Sequence, residues 1–411
     1  MSIRLPKEVT LLTFLMCNIY FGWSQIIDIP DANFKNALLN TACADFNGNG
    51  VFSSQVDLNN DDEIQLSEAL GVQGLRVWNQ NIVSVEGLEN FINLTYLNVT
   101  FNYIETMDIS ALTNLTDLLC YGNELTALDV SNNLSLENLY CNENQITELD
   151  VTLNTNLKNF ECYINLLTDL DVTSNVNLET LNCSQNQLSE IDVTSNPLLI
   201  WLLASNTNLS VLDITNNPLL ESLIVDNNNL LSIDLSQNPN LASVYLSNNL
   251  LTEIDISNNP DVFELIVQNN NLSSANIKNG TAFMTYSGFF MNPDLEFICA
   301  DDFEINAVQT ELDVLGYTET VVSDNCDLSV DNYNLEAQVK VFPVPFRDKL
   351  CIQSNDRIKK VTVFNCHGQK VLETTSVAME THIDTELFSI GFYVIKVETI
   401  KGVEFKNIIK Q

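Results

Sequence analysis

Basic residues are almost missing from most of this 411-residue sequence. Between residues 25 and 336, 4 Lys or Arg stand against 45 Asp or Glu. A region so negative repels polyanions, so we expect neither nucleic acid nor an anionic membrane as its partner, and we expect it to attract cations. The last 75 residues carry 11 basic and 8 acidic side chains, and this shift predicts a separate C-terminal domain over residues 337–411.

Histidine is just as scarce, and both histidines, His367 and His382, lie in that C-terminal part. The rest of the chain therefore cannot build a Ser-His-Asp triad, a Cys-His pair or a histidine zinc site. Paired carboxylates leave glycoside hydrolysis as the enzymatic alternative, but we predict that the protein is not an enzyme. Apolar runs of about 18 residues are also missing, which predicts no membrane span.

The first 24 residues have the composition of a secretory signal peptide. Arg4 and Lys7 precede an apolar run from Val9 to Phe21, and small residues follow before Gln25. We predict that residues 1–24 are such a signal. A lipid anchor at Cys17 is the less favoured alternative.

A 21-residue pattern recurs from Leu94 to about Gly280. One full copy, residues 115–135, reads LTDLLCYGNELTALDVSNNLS, and a degenerate copy opens at Val72. A fixed period of this length indicates stacked units that bury their apolar faces against one another. We predict an α/β-type leucine-rich-repeat solenoid over residues 72–282, mostly β, with one short parallel strand per coil.

Three polar or sulfur-bearing columns recur in this pattern, counted from Leu115 as position 1. Asparagine at position 9 is expected to bond backbone groups in a ladder, with Thr207 breaking the column. Four cysteines at position 6 form a straight column, which suits core packing and not a tetrahedral zinc site. Aspartate at position 15 either bonds the backbone two residues on or binds a row of divalent cations, and we favour the first. The cysteines are Cys120, Cys141, Cys162 and Cys183, and the aspartates are Asp108, Asp129, Asp150, Asp171, Asp192, Asp213, Asp234 and Asp255.

Positions 3, 5, 7 and 8 should face solvent on the concave side of the coils, where solenoids bind ligands. Aromatic residues recur there. Exposed aromatic rings with few lysines suit a protein interface or a stacked sugar ring, although β-propensity alone also favours them. The predicted ligand-binding residues are Trp78, Tyr96, Tyr121, Tyr140, Tyr163, Trp201 and Tyr245, and Phe101 belongs to the same positions.

Residues 25–71 are predicted to form an N-terminal cap with a helix that Asp31 caps. A calcium loop of the EF-hand type follows, because oxygen-bearing side chains stand where a hard cation needs them. Asp62 occupies the sixth position, where the motif wants glycine, and two Asx-rich turns are the alternative interpretation. The predicted calcium ligands are Asp57, Asn59, Asp61, Glu63 and Glu68.

The period is lost after the repeats. Over residues 283–336 we predict a C-terminal cap sealed by a disulfide between Cys299 and Cys326. Residues 337–411 alternate as short strands with turn signals, which predicts an Ig-like β-sandwich.

The repeats and the cap, IPDANFKNALL and DLNNDDEIQLSEA, resemble those of secreted Bacteroidetes leucine-rich-repeat proteins. The tail resembles the type IX secretion sorting domain through VFPVP at 341–345, GQKV, GFYVIKV and the ending FKNIIK, with Val344 where asparagine is usual. The resemblance implies export by the type IX machinery to the medium or the outer cell surface of a Gram-negative bacterium. We therefore predict a non-enzymatic binding or adhesion protein for a protein or glycan, the alternative being a calcium-braced structural protein without a specific ligand.

Overall fold

The computed structural model describes residues 25–281, 287–326, 339–366, 368–375, 378–399 and 402–411. The predicted signal peptide lies outside the described residues. The chain divides into two compact units, one ending at Asn156 and the other beginning at Leu157. In the described part of the chain, no helix has the length and apolar character that crossing a membrane requires.

The first unit opens with a cap that is fastened to the first coil by one carboxylate. Helix α1 (Ala32–Asn40) begins after Asp31, whose Oδ1 accepts hydrogen bonds from the backbone N–H groups of Asn33 and Phe34 at 2.8 Å each. Its Oδ2 accepts from Val83 and Ser84 at 2.9 and 3.0 Å. Burial raises the pKa of Asp31, and these four bonds outweigh it, so the net shift is downward.

The strands of the first unit form one sheet in chain order. The first pair is antiparallel and the following pairs are parallel, as a solenoid requires. The elements are β1 (Ala44–Asp45), helix α2 (Leu66–Ala69), β2 (Gly74–Arg76), a 3₁₀ turn (Leu88–Asn90), β3 (Tyr96–Asn98), β4 (Asp117–Leu119) and β5 (Asn138–Tyr140).

The second unit has the same type of repeat, with one short strand per coil. Its first sheet is parallel and consists of β6 (Asn159–Glu161), β7 (Thr180–Asn182), β8 (Trp201–Leu203), β9 (Ser222–Ile224), β10 (Ser243–Tyr245) and, after β11, β12 (Glu264–Ile266). A second parallel sheet consists of β11 (Glu253–Asp255), β13 (Ser274–Asn276), β14 (Phe297–Cys299) and β15 (Val321–Ser323). The 3₁₀ turn Ser287–Phe289 lies between β13 and β14 in the sequence, and helix α3 (Ile305–Leu315) lies between β14 and β15. Cys299 and Cys326 form a disulfide in this segment.

Most coils bury the middle residue of the strand and leave the two flanking residues partly exposed, because successive strand side chains point to opposite faces. Leucines from the turns complete the core between coils. The predicted leucine-rich-repeat solenoid is confirmed.

The C-terminal residues form two antiparallel sheets around a separate core, which confirms the predicted Ig-like sandwich. Leu350, Ile352 and Ile383 of one sheet pack with Val361 and Ile395 of the other. One sheet has the order β16 (Lys340–Phe342), β17 (Lys349–Gln353), β20 (Glu380–Asp384), and the other has β19 (Lys370–Thr375), β18 (Ile358–Asn365), β21 (Gly391–Thr399), β22 (Val403–Lys410).

Candidate functional site

The exposed sheet face of the first unit carries four of the predicted ligand-binding aromatics. Tyr96 begins β3 and Tyr140 ends β5, while Trp78 and Tyr121 each follow a strand by two residues. Trp78 is 49 % exposed, and the three tyrosines are partly exposed. The alternation within each strand thus delivers these rings to the solvent side, as predicted from their positions.

Two further aromatic rings enlarge this face. The ring of Phe52, from the cap, lies 5.4 Å from that of Tyr96, and the guanidinium of Arg76 lies 4.5 Å from the centre of the Phe52 ring. Phe101 and Tyr121 meet edge to face at 5.1 Å. Phe52 was missed from the sequence because it lies outside the repeat, where no period marks its position.

The exposed face of the second unit carries a row of apolar side chains across its sheet. Cross-strand partners at position 5 place Leu203, Ile224, Tyr245 and Ile266 side by side, and we call these four residues the apolar row. Trp201, 51 % exposed, stands on the same face two residues before Leu203.

Polar groups border the apolar row. The Tyr245 hydroxyl bonds the carboxylate of Glu264, and this bond is the main cause that raises the pKa of Tyr245 to about 12. The Oδ1 of Asp226 accepts a hydrogen bond from the backbone N–H of Ser247 at 2.7 Å, while burial raises the pKa of Asp226. Tyr163, also predicted, is partly exposed in the turn after β6.

The asparagine at position 9 forms the expected ladder. In Asn228 the side-chain amide donates to the carbonyls of Ala204 and Val225 at 2.8 and 3.0 Å, and its Oδ1 accepts from the N–H of Leu209 at 2.9 Å. Thr207 makes its rung with a hydroxyl that donates to Ala204 O at 2.8 Å. The column is therefore structural, and at Thr207 a hydroxyl takes the place of the amide.

A second asparagine ladder, at position 19, was present in the pattern but not interpreted. Asn217 is fully buried and donates to the carbonyls of Val193 and Asn196 at 2.9 Å each. Asn238 repeats both bonds one coil later. The sequence signal for this ladder was an asparagine at fixed spacing in successive repeats.

The aspartate column makes the backbone bond that we favoured. Asp129 accepts from the N–H of Ser131 at 2.9 Å, and Asp150 accepts from both the N–H and the hydroxyl of Thr152 at 2.9 and 2.6 Å. Bonds to the Ser131 side chain and backbone lower the pKa of Asp129. These carboxylates are exposed, so solvent screens the repulsion along the column.

The four cysteines at position 6 are fully buried, as expected of small core residues. Burial raises the pKa of Cys141 and Cys183 to about 12 and that of Cys120 upward as well. A buried thiol that stays protonated is a poor nucleophile, which agrees with a packing role for these cysteines.

The predicted calcium loop turns through two left-handed residues, Asn60 at φ 60° and Asp62 at φ 64°. Aspartate thus adopts the conformation for which the motif uses glycine, which asparagine and aspartate tolerate better than other side chains do. Asp57 is buried, and its two oxygens accept from the N–H groups of Asn60 at 2.7 Å and Asp62 at 3.1 Å.

The rest of the loop is held by side-chain bonds. Glu68, also buried, accepts from the N–H of Leu58 at 2.8 Å and, with its other oxygen, from that of Gln65 at 3.0 Å. The Gln65 amide donates to Asp61 and is the main cause that lowers the pKa of Asp61. Glu63 pairs with Lys35 at 2.6 Å, and Asn59 donates to Asp61 at 3.0 Å.

A buried glutamate also occurs in the C-terminal cap, at a position that no sequence pattern marks. Glu304 precedes α3 and is only 2 % exposed, and within the described residues neither carboxylate oxygen has a hydrogen-bond partner. Burial, and secondarily the charge of Asp301, raises its pKa from 4.5 to about 7.

Comparison with known proteins identifies the tail and the fold. Residues 340–411 match the family model described as a secretion system C-terminal sorting domain. A search with the sequence found no match among curated proteins.

Among solved structures, an internalin (InlF) of Listeria monocytogenes is similar over 75 % of this chain and 99 % of its own, with 16 % identity and a TM-score of 0.51. The functional domain of InlJ from Listeria monocytogenes, described as including a cysteine ladder, covers 95 % of this chain and 99 % of its own at 19 % identity and a TM-score of 0.33. A leucine-rich-repeat protein of Leptospira interrogans covers 57 % of this chain and 74 % of its own at 18 % identity and a TM-score of 0.43.

The sorting domain marks the chain for export by type IX secretion, to the medium or the cell surface of a Gram-negative bacterium. The chain therefore has the leucine-rich-repeat fold and ends in a secretion system C-terminal sorting domain.

Proposed function

We propose that the protein is a non-enzymatic binding protein that engages a protein or glycan ligand through the exposed sheet face of its coils. The observation that carries the proposal is the pairing of Trp201 with the apolar row. Trp201 is 51 % exposed, and Leu203, Ile224 and Tyr245 are partly exposed, whereas the middle residues of the same strands, such as Leu202 and Leu223, are fully buried. Exposed apolar surface rimmed by polar groups is typical of interaction sites.

The chemistry of this face suits an uncharged or cationic ligand surface. A tryptophan ring offers a large rigid contact at a small entropic cost, and flat aromatic rings stack on sugars as well as on apolar side chains. Glu264 and Asp226 supply hydrogen-bond acceptors at the edge. Tyr96, with Phe52 and Arg76 beside it, supports a second contact region on the face of the first unit.

A binding screen of the full chain against glycans and cell-surface proteins tests the proposal. Once a ligand is found, Trp201→Ala should weaken its affinity at least tenfold, because truncating a central tryptophan costs about 2 kcal/mol or more. The matched control is Leu219→Ala, since Leu219 is 40 % exposed in a turn of the same unit. A blank screen, or equal losses in the two variants, would contradict the proposal.

Calcium binding to the 57–68 loop belongs to a second proposal, in which the ion braces the cap. The donors fit a hard cation, because Asp57, Asn59, Asp61 and Glu68 present oxygens on one tight loop. The Asp57 and Glu68 oxygens accept backbone hydrogen bonds and still have lone pairs for an ion. The Asp61 carboxylate can bind the ion once its hydrogen bond from the Gln65 amide is broken. When bound, calcium would supply structural cross-linking only.

Calorimetric titration with calcium tests this brace. The wild-type chain should bind the ion, and Asp61→Ala should weaken binding without unfolding the cap, because Asp61 lies at the surface. Asp28→Ala, another exposed acid of the cap, should leave binding unchanged. Equal binding by wild type and Asp61→Ala would remove the loop as the site.

A further inference from the structure

The outer face of one sheet of the sorting domain brings together a thiol, a carboxylate and an imidazole. Leu350 and Ile352 of β17 and Ile383 of β20 point into the core. The alternation of the strands therefore turns Cys351 of β17 and Glu380 and His382 of β20 to the other side. Antiparallel pairing sets Cys351 directly opposite His382, and Glu380 lies two residues before His382 on the same face.

The three functional groups converge. The Nε2 of His382 lies 3.0 Å from Oε1 of Glu380, and the thiol of Cys351 hydrogen-bonds the same carboxylate. The sulfur, one imidazole nitrogen and one carboxylate oxygen all lie within 4.8 Å of one another. Among the described residues, this is the one group of three such ligands so gathered.

We infer that Cys351, Glu380 and His382 form a three-ligand site for a divalent transition-metal ion of the zinc class. Thiolate, imidazole and carboxylate are the protein ligands that zinc takes. Bond lengths of about 2.0–2.3 Å place tetrahedral ligand atoms roughly 3.3–3.7 Å apart, so the three groups need only a small approach. Water or another ligand fills the fourth position, and the thiol proton passes to solvent when the metal–sulfur bond forms.

The surroundings allow this approach. The side chains of His382 and Glu380 are 67 % and 46 % exposed, so both can change rotamer without disturbing the core. Cys351 is only 9 % exposed and is flanked on its other side by Phe342 of β16. The sulfur thus has a firm position, and the two mobile ligands can close on the ion beside it.

An exposed ion pair between His382 and Glu380 would not by itself explain the cluster. Such exposed pairs are weak, and neither partner needs a thiol beside it. The four solenoid cysteines provide the contrast within this chain, because each is fully buried at the same position of its coil and the repeats contain no histidine. At Cys351 two strands bring three different donors within 4.8 Å of one another, close to the spacing that a tetrahedral ion requires.

Cobalt titration of the full chain tests the site. The experiment is performed without oxygen or reductant, so that the Cys299–Cys326 disulfide stays formed, and with excess calcium and magnesium to fill sites made of carboxylates alone. The wild-type chain should bind one equivalent of Co²⁺ with a thiolate-to-cobalt charge-transfer band, and Zn²⁺ should displace it. Absence of the band from the wild-type chain would overturn the inference.

Variants assign the ligands. Cys351→Ser should abolish the charge-transfer band, and Glu380→Gln and His382→Gln should weaken Co²⁺ binding by at least about tenfold, the lower range for losing even an outer-shell partner. Because Glu380 and His382 are exposed, these two variants keep the fold, and thermal melting checks it. The matched controls are Cys366→Ser, the other half-buried thiol of the domain, and Asp384→Asn on the same face of β20. A band that survives in Cys351→Ser, or that disappears in Cys366→Ser, would show that this cluster is not the site.

Discussion

The repeat region and the sorting domain solve the same problem of satisfying polar groups in opposite ways. In the repeats, side chains such as Asn228 and Asp129 bond backbone groups of their own or adjacent coils. In the sorting domain, charged side chains bond each other across strands, as Lys360 does with Glu373 at 3.3 Å. The acidic repeats have almost no basic partners to pair with, so their acids depend on N–H groups.

Because of this difference, the stability of the two regions should respond differently to side-chain substitution and to salt. The backbone bonds of the asparagine ladders are short-range and buried, so the stability of the repeats should depend on individual amides and respond little to salt. Side-chain pairs at the surface are weak and screened. Replacing one ladder asparagine in the repeats should therefore lower the free energy of unfolding by more than breaking one ion pair in the tail does.

The largest expected effect is from Asn228→Ala. It removes one buried side-chain amide that bonds several backbone groups, and each orphaned group costs about 1–3 kcal/mol. We expect a loss of about 4 kcal/mol in the free energy of unfolding, measured by denaturant melts of the full chain. Asn229→Ala, at the exposed neighbour, is the control and should change it by less than about 0.5 kcal/mol. Equal effects would mean that the ladder is not what holds the coils.

A pH-dependent effect of up to about 3 kcal/mol is expected from Glu304. Its pKa is higher in the folded chain, about 7, than its ordinary value of 4.5, so the folded state keeps the proton longer. Its contribution to stability is therefore greatest below about pH 4.5, falls as pH rises toward about 7, and is constant above. Glu304→Gln should remove this loss, so its advantage over wild type should grow between those two values. A difference that does not change with pH would contradict the burial of a charged form at this position.

A smaller and stabilising effect is expected at Ile164. This β-branched residue has φ 52°, a left-handed conformation that costs it about 1 kcal/mol or more, and asparagine occupies the same position at Asn206, Asn227 and Asn248. Ile164→Asn should raise the free energy of unfolding by about 1 kcal/mol. Leu166→Asn, an exposed position with ordinary φ, serves as the control and should give no gain.

The smallest effect is expected from Asp129→Asn. Asparagine keeps the bond to the Ser131 N–H and removes one charge from the acidic column. The melting temperature should rise slightly at low salt and the rise should vanish at high salt, because exposed charges are screened there. If the variant instead loses a calcium-dependent increase in melting temperature, the column binds cations and the contrast between the regions needs revision.

The repeated part of the fold could be predicted because each column is sampled many times. Position 9 and position 15 carry one requirement per coil, so even the substitution Thr207 stood out. Phe52, whose ring lies against that of Tyr96, and Glu304, one acid among many, occur once and carry no periodic signal. The cluster at Cys351 depends on the pairing of β17 with β20. The sequence alone does not show which residue of β17 lies opposite which residue of β20. Unique contacts between distant residues therefore needed the structure, whereas repeated contacts did not.

Hydroxyl-radical footprinting of the full chain with its captured ligand tests the central claim most directly. If the exposed sheet face is the binding surface, oxidation of Trp201 and Tyr245 should fall when the ligand is added, while Leu219 in the turn should be oxidised as before. Protection of Leu219 with unchanged oxidation of Trp201 and Tyr245 would contradict the account.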